Sequence, residues 1–401
     1  MRLNVRWWLI GGLWTAYLAL IWFLCLNSRF AMYDFSNYYA GAGDILAGMN
    51  PYLRADYLYP PLWAQMLIPL VWLGDYAAAW RIWLGINLIL LGITLMLLSS
   101  FTPRKQRWIV WMMPVVCWVL VEALVIGQAT ILMLILIAGA WAALKRRHDV
   151  VGGVLIALAI WIKVYPALFI VYLLIKREKR PLFAAMSALI GFGLVQVLIL
   201  GWSPFTAFFN SLITLSSGGQ ESLVHGNNSI LGFVSRLFVP SDTVQILMDS
   251  PALYWISRIG LSGLIVLGSF YFAAKSPAPK AAPQNNRDWQ FDLEWSLILI
   301  ASFLLSPTFW VSGMPPLLLS YFLLWSNRPL GEVGKWIGWF CFFACILLSL
   351  YYVFILGYAP QTQLLNGWAL SGGFFIMVAT WMLHVYLLAR PQRGIDERSF
   401  R

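Results

Sequence analysis

The sequence predicts an all-α integral membrane protein, a polytopic bundle of about 12 transmembrane helices plus one short re-entrant or interfacial segment. Three observations predict it. Of 401 residues, 61% are hydrophobic and only 11% charged, too little polar side chain to clothe a soluble domain of this size. The apolar residues come in long runs, many of them near the roughly 20 residues that a helix needs to cross the hydrocarbon core. Between the runs lie short clusters of Lys and Arg, the mark of cytoplasmic loops.

Taken in order, the first run, residues 7 to 26, is too long for a signal-peptide core and has no small-residue cleavage site behind it, so it is expected to remain as an anchor. Further spans are expected at 77 to 100, 108 to 127, 129 to 144, 150 to 163, 165 to 176, 181 to 201, 252 to 274, 293 to 311, 314 to 326, 336 to 357 and 367 to 388. Residues 61 to 73 are apolar but short, and a full span there would move Arg104, Lys105 and Arg107 to the outer side; they are read as re-entrant or interfacial. With both termini cytoplasmic, every basic cluster faces inward. The exceptions are Arg29, Arg54, Arg81, Lys163, Arg236 and Arg258, which fall in outer loops or at membrane depth, where a charge is expensive and so tends to have a task. The chain is thus a single membrane domain, 1–401, with a first outer loop at 27–76, a second at 202–251 and a Pro- and Ala-rich cytoplasmic linker at 275–292.

The net charge of +11 follows from this inward bias of Lys and Arg, and no nucleic-acid partner is expected. Four cysteines all lie within apolar runs, and three histidines, His148, His225 and His384, show no ligand spacing; neither a disulfide framework nor a metal site is expected. No cofactor is expected either.

Polar residues concentrate in YDFSNYYAGAGDILAGMNPYLRADYLYPP, residues 33 to 61. A water-facing carboxylate just beyond a membrane helix, flanked by aromatics, suits the removal of a proton from a sugar hydroxyl as that hydroxyl attacks an activated anomeric carbon. Asp34 fits this role, or it caps a short helix beginning at Phe35. Asp44, in GDILAGMNPY, fits a cap or a solvated turn, with sugar binding as its second reading. Lys163, in AIWIKVYPA, sits at a Pro break at membrane depth, where it snorkels or binds an anion such as a lipid phosphate. Arg236 offers the same service, or snorkels from the end of an interfacial helix capped by Asn228 or Ser229. Gly127 and Gln128, with Glu122 a turn earlier, end the third span, placed to bond sugar hydroxyls or to hold a tight turn. Most of the 23 Trp suit interfacial belts.

Taken together, DFSNYYAGAGDILAGMNPY followed by YPP, GQ at 127–128, KVYP at 163–166, GNNSILGFVSRLF at 226–238 and LLSPTFW at 304–310 resemble glycosyltransferase family 87, the polyprenol-phosphate-mannose-dependent mannosyltransferases and their relatives of the integral-membrane GT-C type. The resemblance runs over about residues 7 to 326. It implies a GT-C-type helix bundle, a polyprenyl-phosphate sugar donor, a lipid or glycan acceptor, inversion at the anomeric carbon and an active site outside the cytoplasm of a bacterial inner membrane. The acidic residue of the first outer loop maps onto Asp34 as general base through its DFxxYY context. Lys163 and Arg236 are marked as holding the donor phosphate, and Tyr38, Tyr39, Asp44, Gln128, Asn227, Asn228 and His225 as orienting sugars. Two departures stand out. The family's SPxxWxHH histidines are replaced by Val311, Ser312 and Gly313 after Trp310, so that His225 substitutes from another loop or the chemistry has shifted; and GQxN reads Gly127-Gln128-Ala129-Thr130. The rival readings are a transporter or flippase of lipid-linked saccharides, which needs a polar path that these spans lack, and an envelope polysaccharide polymerase or ligase, in which polar groups gather in a large late loop.

Overall fold

The computed structural model describes residues 5–28, 30–53, 57–218, 226–241, 244–275, 284–327, 332–351, 365–366 and 371–389. Within them the chain is all-α apart from a two-residue parallel bridge that pairs Val244 with Leu365 and Gln245 with Asn366. The helices are α1 (Val5–Asn27), α2 (Tyr33–Leu46), α3 (Pro61–Val71), α4 (Tyr76–Ser100), α5 (Arg107–Met112), α6 (Trp118–Val125), α7 (Thr130–Lys145), α8 (Asp149–Ile162), α9 (Leu168–Ile175), α10 (Lys179–Leu200), α11 (Ser203–Ser217), α12 (Ile230–Phe238), α13 (Pro251–Lys275), α14 (Gln284–Leu305), α15 (Leu317–Ser326), α16 (Glu332–Tyr351) and α17 (Gly372–Ala389).

Five of these, α1, α4, α10, α13 and α17, are long and apolar enough to cross a membrane. Two further expected spans fall on α14, 22 residues, and α16, 20 residues, while several of the rest are shorter or broken, so a count of about 12 does not follow from helix length. The run 108 to 127 is interrupted at Met113–Cys117. Pro114 lies in that gap and cannot donate to the preceding turn, which leaves α5 and α6 as separate pieces. Residues 165 to 176 open with a single 3₁₀ turn at Tyr165–Ala167 before the two-turn α9. Residues 61 to 73 form the 11-residue α3, about 17 Å at 1.5 Å per residue and short of the ~30 Å core.

The bundle has the inside-out polarity of a membrane protein. Along α10, Phe183, Ile190, Leu194, Leu198 and Ile199 face outward, and Trp8, Leu9 and Phe23 do so on α1, apolar surface that only lipid would tolerate. The centre is α14 and α15, where every residue from Leu317 to Trp325 is buried. Between helices the packing depends on small residues, because lipid removes the hydrophobic drive for association. At Gly153 of α8, a Cβ would lie 2.3 Å from the carbonyl oxygen of Pro181 and 2.8 Å from Cβ of Ala184 on α10, so this close crossing requires glycine.

One end of the bundle is tied by buried ion pairs at the start of α14. Asp292 accepts from Trp141 Nε1 at 2.7 Å and Lys145 Nζ at 2.6 Å, and from Asn327 Nδ2 at 3.1 Å. Glu294 accepts from Lys176 Nζ and Tyr172 OH, each at 2.9 Å. These contacts bind α14 to the ends of α7, α9 and α15. Since α7 starts beside Gln128 and α14 ends beside Ser306, the opposite end of the same helices carries the candidate site.

Candidate active site

The site begins where two helices meet head to tail. The first N–H groups of a helix have no partner within it. In α2, Asp34 N and Phe35 N instead donate to Ile126 O at 3.0 and 3.3 Å, while Met32 N, just ahead of the helix, donates to Val125 O at 2.8 Å. The last carbonyls of α6 thus serve the first amides of α2. This abutment is possible because Gly127 turns away at φ +73°, and a Cβ there would sit 2.6 Å from Phe35 Cβ. Trp83 Nε1 fixes the turn by donating to Gly127 O at 2.8 Å.

The turn delivers Gln128 to the carboxylate. Gln128 Nε2 donates to Asp34 Oδ2 at 2.6 Å. Gln128 Oε1 accepts from Tyr38 OH at 2.9 Å and from the Ala129 amide at 3.0 Å, with Tyr59 OH at 3.4 Å. Tyr38 OH also bonds Tyr59 OH at 2.8 Å. The amide therefore uses both ends, one on the acid and one on the tyrosines. Asp34 is not a helix cap: the cap position is Met32, whose side chain makes no capping bond, and Asp34 lies within the first turn. Burial pushes the Asp34 carboxyl up to about 6, against the opposing pull of the Lys163 charge and the Gln128 amide. Burial likewise raises the Tyr38 and Tyr59 hydroxyls, so both stay protonated as donors.

Lys163 follows the last residue of α8 in extended backbone, its ammonium 5.2 Å above the Tyr59 ring. It makes no ion pair among the described residues, although its charge is felt at Asp34. It lines a cavity of about 420 Å³ together with Tyr59, Tyr165, Ser306, Thr308 and Trp310. The other wall is apolar, with Val171, Phe208, Leu212 and Leu215. Asp34 does not line this cavity; Gln128 bonds both Asp34 and Tyr59, the ring that Lys163 lies over. Tyr165 OH is buried without a hydrogen bond among the described residues.

The cavity floor is held by a knot of loops. Asn227 Oδ1 accepts from Phe309 N at 3.0 Å and Ser229 N at 3.2 Å, Asn227 Nδ2 donates to Pro307 O at 3.1 Å, and Asn228 N donates to Phe309 O at 2.7 Å. Ser229 caps α12, accepting from Gly232 N at 3.1 Å. Thr130 Oγ1 donates to Ser312 O at 2.8 Å. Arg236 is fully buried in this knot, giving Nη1 to Asn227 O at 2.7 Å and Nε and Nη2 to Ser371 Oγ at 3.2 and 2.9 Å. Arg236, expected at the donor phosphate with Lys163, is not among the residues lining the cavity, and these bonds of its guanidinium hold the loop that carries Asn227.

Of the remaining expected site residues, Asp44, Tyr39 and Asn228 do not line the cavity. Asp44 is buried near the end of α2 rather than in a solvated turn. Tyr39 packs its ring against Phe35 and, edge-on at 5.2 Å, against Tyr76. Asn228 is buried, its Nδ2 donating to Gly226 O at 2.8 Å. His225, Arg29 and Arg54 lie outside the described residues. Arg258 is engaged with Tyr254 OH at 3.0 Å and with Ser216 O. Two residues gain importance from the geometry, Tyr59 and Tyr165, whose only signal in the sequence is their membership of YPP and KVYP.

The arrangement is a carboxylate of raised proton affinity linked through Gln128 and Tyr59 to a lysine that lines a cavity of mixed polar and apolar side chains. Over 323 residues the chain is 25% identical to GPI mannosyltransferase 1 of Eremothecium gossypii, covering 73% of this chain and 75% of that one. It is 24% identical over 264 residues to the polyprenol-phosphate-mannose-dependent alpha-(1-2)-phosphatidylinositol mannoside mannosyltransferase of Mycobacterium tuberculosis, covering 59% and 60%. With GPI mannosyltransferase 1 of Saccharomyces cerevisiae it shares 24% identity over 192 residues, 45% of this chain and 46% of that one. No solved structure matches. The profile of glycosyltransferase family 87 matches residues 57–307, a stretch that holds Tyr59, Gln128, Lys163 and the Asn227 to Arg236 segment and begins after Asp34. The chain belongs to glycosyltransferase family 87.

Proposed function

We propose that this protein transfers a hexose, mannose first among the candidates, from a polyprenyl-phosphate donor to a lipid or glycan acceptor on the outer face of a bacterial inner membrane, with inversion. The observation that carries the proposal is the cavity itself: Lys163, a cation without a paired carboxylate among the described residues, faces space whose far wall is aliphatic and aromatic. A lipid phosphate needs both halves. The isoprene units lie against Val171, Phe208, Leu212 and Leu215, and the phosphate meets the ammonium of Lys163 while the sugar reaches past Tyr59 toward Asp34.

In the reaction the acceptor hydroxyl oxygen attacks the anomeric carbon and its proton passes to Asp34. The bond from that carbon to the phosphate oxygen breaks, and the lipid phosphate leaves with the bonding pair, its growing charge stabilised by Lys163. A carboxyl titrating at about 6 is mostly ionised at neutral pH and still a better proton acceptor than an ordinary aspartate. Gln128 orients it from one side; Oδ1 carries no hydrogen bond among the described residues and is free for the acceptor. Arg236 acts at one remove, through the loop it holds.

The sidedness rests on the inward bias of basic residues: Lys145 and Lys176 mark the cytoplasmic end of α7 and α9, and the site is at the other end. A transporter fits less well. The buried acids Asp292 and Glu294 are ion-paired at the basic end instead of lining a path toward Asp34.

Membranes carrying the wild type or Asp34→Asn, given radiolabelled polyprenyl-phosphate-mannose, test the reading. The wild type is expected to move label to an acceptor and the variant to do so about 10² to 10⁴-fold more slowly. Equal transfer by both removes Asp34 as base. Transfer only from a different polyprenyl-phosphate sugar keeps the mechanism and changes the substrate.

A further inference from the structure

A second charged cavity lies at the basic end, away from the candidate active site. It has a volume of about 210 Å³ and is lined by Arg6 and Trp7 of α1, Arg104 and Lys105 of the 3₁₀ turn before α5, and Trp108 of α5. That is several times the ~30 Å³ share of a water molecule in the liquid. Trp14 Nε1 donates to Trp111 O at 2.9 Å and so ties α1 to α5. Three cations converge on it, and none of them makes an ion pair or hydrogen bond among the described residues. The described segments that line it, RWW at 6–8 and FTPRKQRW at 101–108, contain no acid. Like charges held this close repel one another unless an anion joins them.

From this convergence of Arg6, Arg104 and Lys105 between two indoles we infer that the cavity is a headgroup site for an anionic membrane phospholipid. The argument for a lipid comes from the surroundings. Tryptophan settles at the level of the headgroups, and next to the cavity Trp8, Leu9 and Leu13 present exposed apolar surface on which acyl chains can lie. A basic pocket between membrane helices on the side that collects Lys and Arg is a known mode of recognising phosphate headgroups. The inference is independent of the proposed transfer reaction, since none of its residues lines the Lys163 cavity.

The test uses the full-length protein in nanodiscs of phosphatidylcholine with a minority of phosphatidylglycerol, and native mass spectrometry to read which lipids stay bound on release. The wild type is expected to retain phosphatidylglycerol in excess over its share of the bilayer. Arg104→Gln/Lys105→Gln is expected to lower that enrichment by about fivefold per cation removed, and Arg6→Gln alone by about fivefold. All three side chains are exposed, so folding is not at stake. Lys179→Gln/Arg180→Gln, an exposed pair on α10, should leave the enrichment unchanged. Undiminished enrichment in Arg104→Gln/Lys105→Gln, or an equal fall in the α10 pair, would overturn the site.

Discussion

Two regions of this molecule place carboxylates near lysines, and they do so in opposite ways. At the start of α14, Asp292 and Glu294 meet Lys145 and Lys176 directly, at 2.6 and 2.8 Å, with tryptophan, tyrosine and asparagine taking remaining lone pairs. At the other end of the same helices Asp34 is bonded to the neutral Gln128, and Lys163 is stacked on Tyr59. Charge that holds the fold is closed on itself. The other pair is kept apart, and in the proposed reaction an acceptor proton and a leaving phosphate would each take one member.

The comparison can be broken by cutting the paired end first. Glu294→Ala removes the carboxylate that pairs with Lys176, a side chain only 3% exposed, and is expected to cost about 3–5 kcal/mol. Thermal melting in detergent reads this, and an unchanged melting temperature would mean that the pair is not structural. At the open end Lys163→Gln should leave melting nearly unchanged and slow transfer by about 10² to 10³-fold, the usual effect of removing one stabiliser of a developing negative charge. Loss of stability without loss of rate would place Lys163 among the structural charges.

Gly127→Ala tests the head-to-tail junction that positions Gln128. With φ +73° and a 2.6 Å approach to Phe35, it is expected to cost about 1–3 kcal/mol, seen as lowered melting together with slower transfer. The smallest effect concerns pH. Asp34 must be ionised to accept a proton, so wild-type rates should fall about tenfold per unit as pH drops below about 6. The Gln128 amide stabilises the carboxylate, so Gln128→Leu should move that limb to higher pH. A limb that moves downward would show that Gln128 does not donate to Asp34.

The sequence made some of this legible and hid the rest. The long spans α1, α4, α10, α13 and α17 are visible as unbroken apolar runs. The Pro114 break and the two-turn α9 are not, because hydropathy averages over a missing hydrogen bond. Asp34, Gln128 and Lys163 stand out as polar groups at span ends, and the fold brings them to one place. Arg236 stands out equally, yet its guanidinium is satisfied by Asn227 O and Ser371 Oγ. A hydrogen bond across 135 positions leaves no trace in local pattern. Asp292 and Glu294 were hidden for the same reason, since their lysines lie on α7 and after α9. Tyr59 was hidden by chemistry: it bonds Gln128 and lies under Lys163, and any tyrosine at an interface looks alike in sequence.

The central claim, that the unpaired carboxylate works and the paired one holds, is tested most directly by measuring melting temperature and transfer rate side by side for Asp34→Asn and Glu294→Ala. The account predicts that Asp34→Asn melts like the wild type and has lost transfer, while Glu294→Ala melts early and its folded fraction transfers at the wild-type rate. Wild-type transfer by a well-folded Asp34→Asn would contradict it.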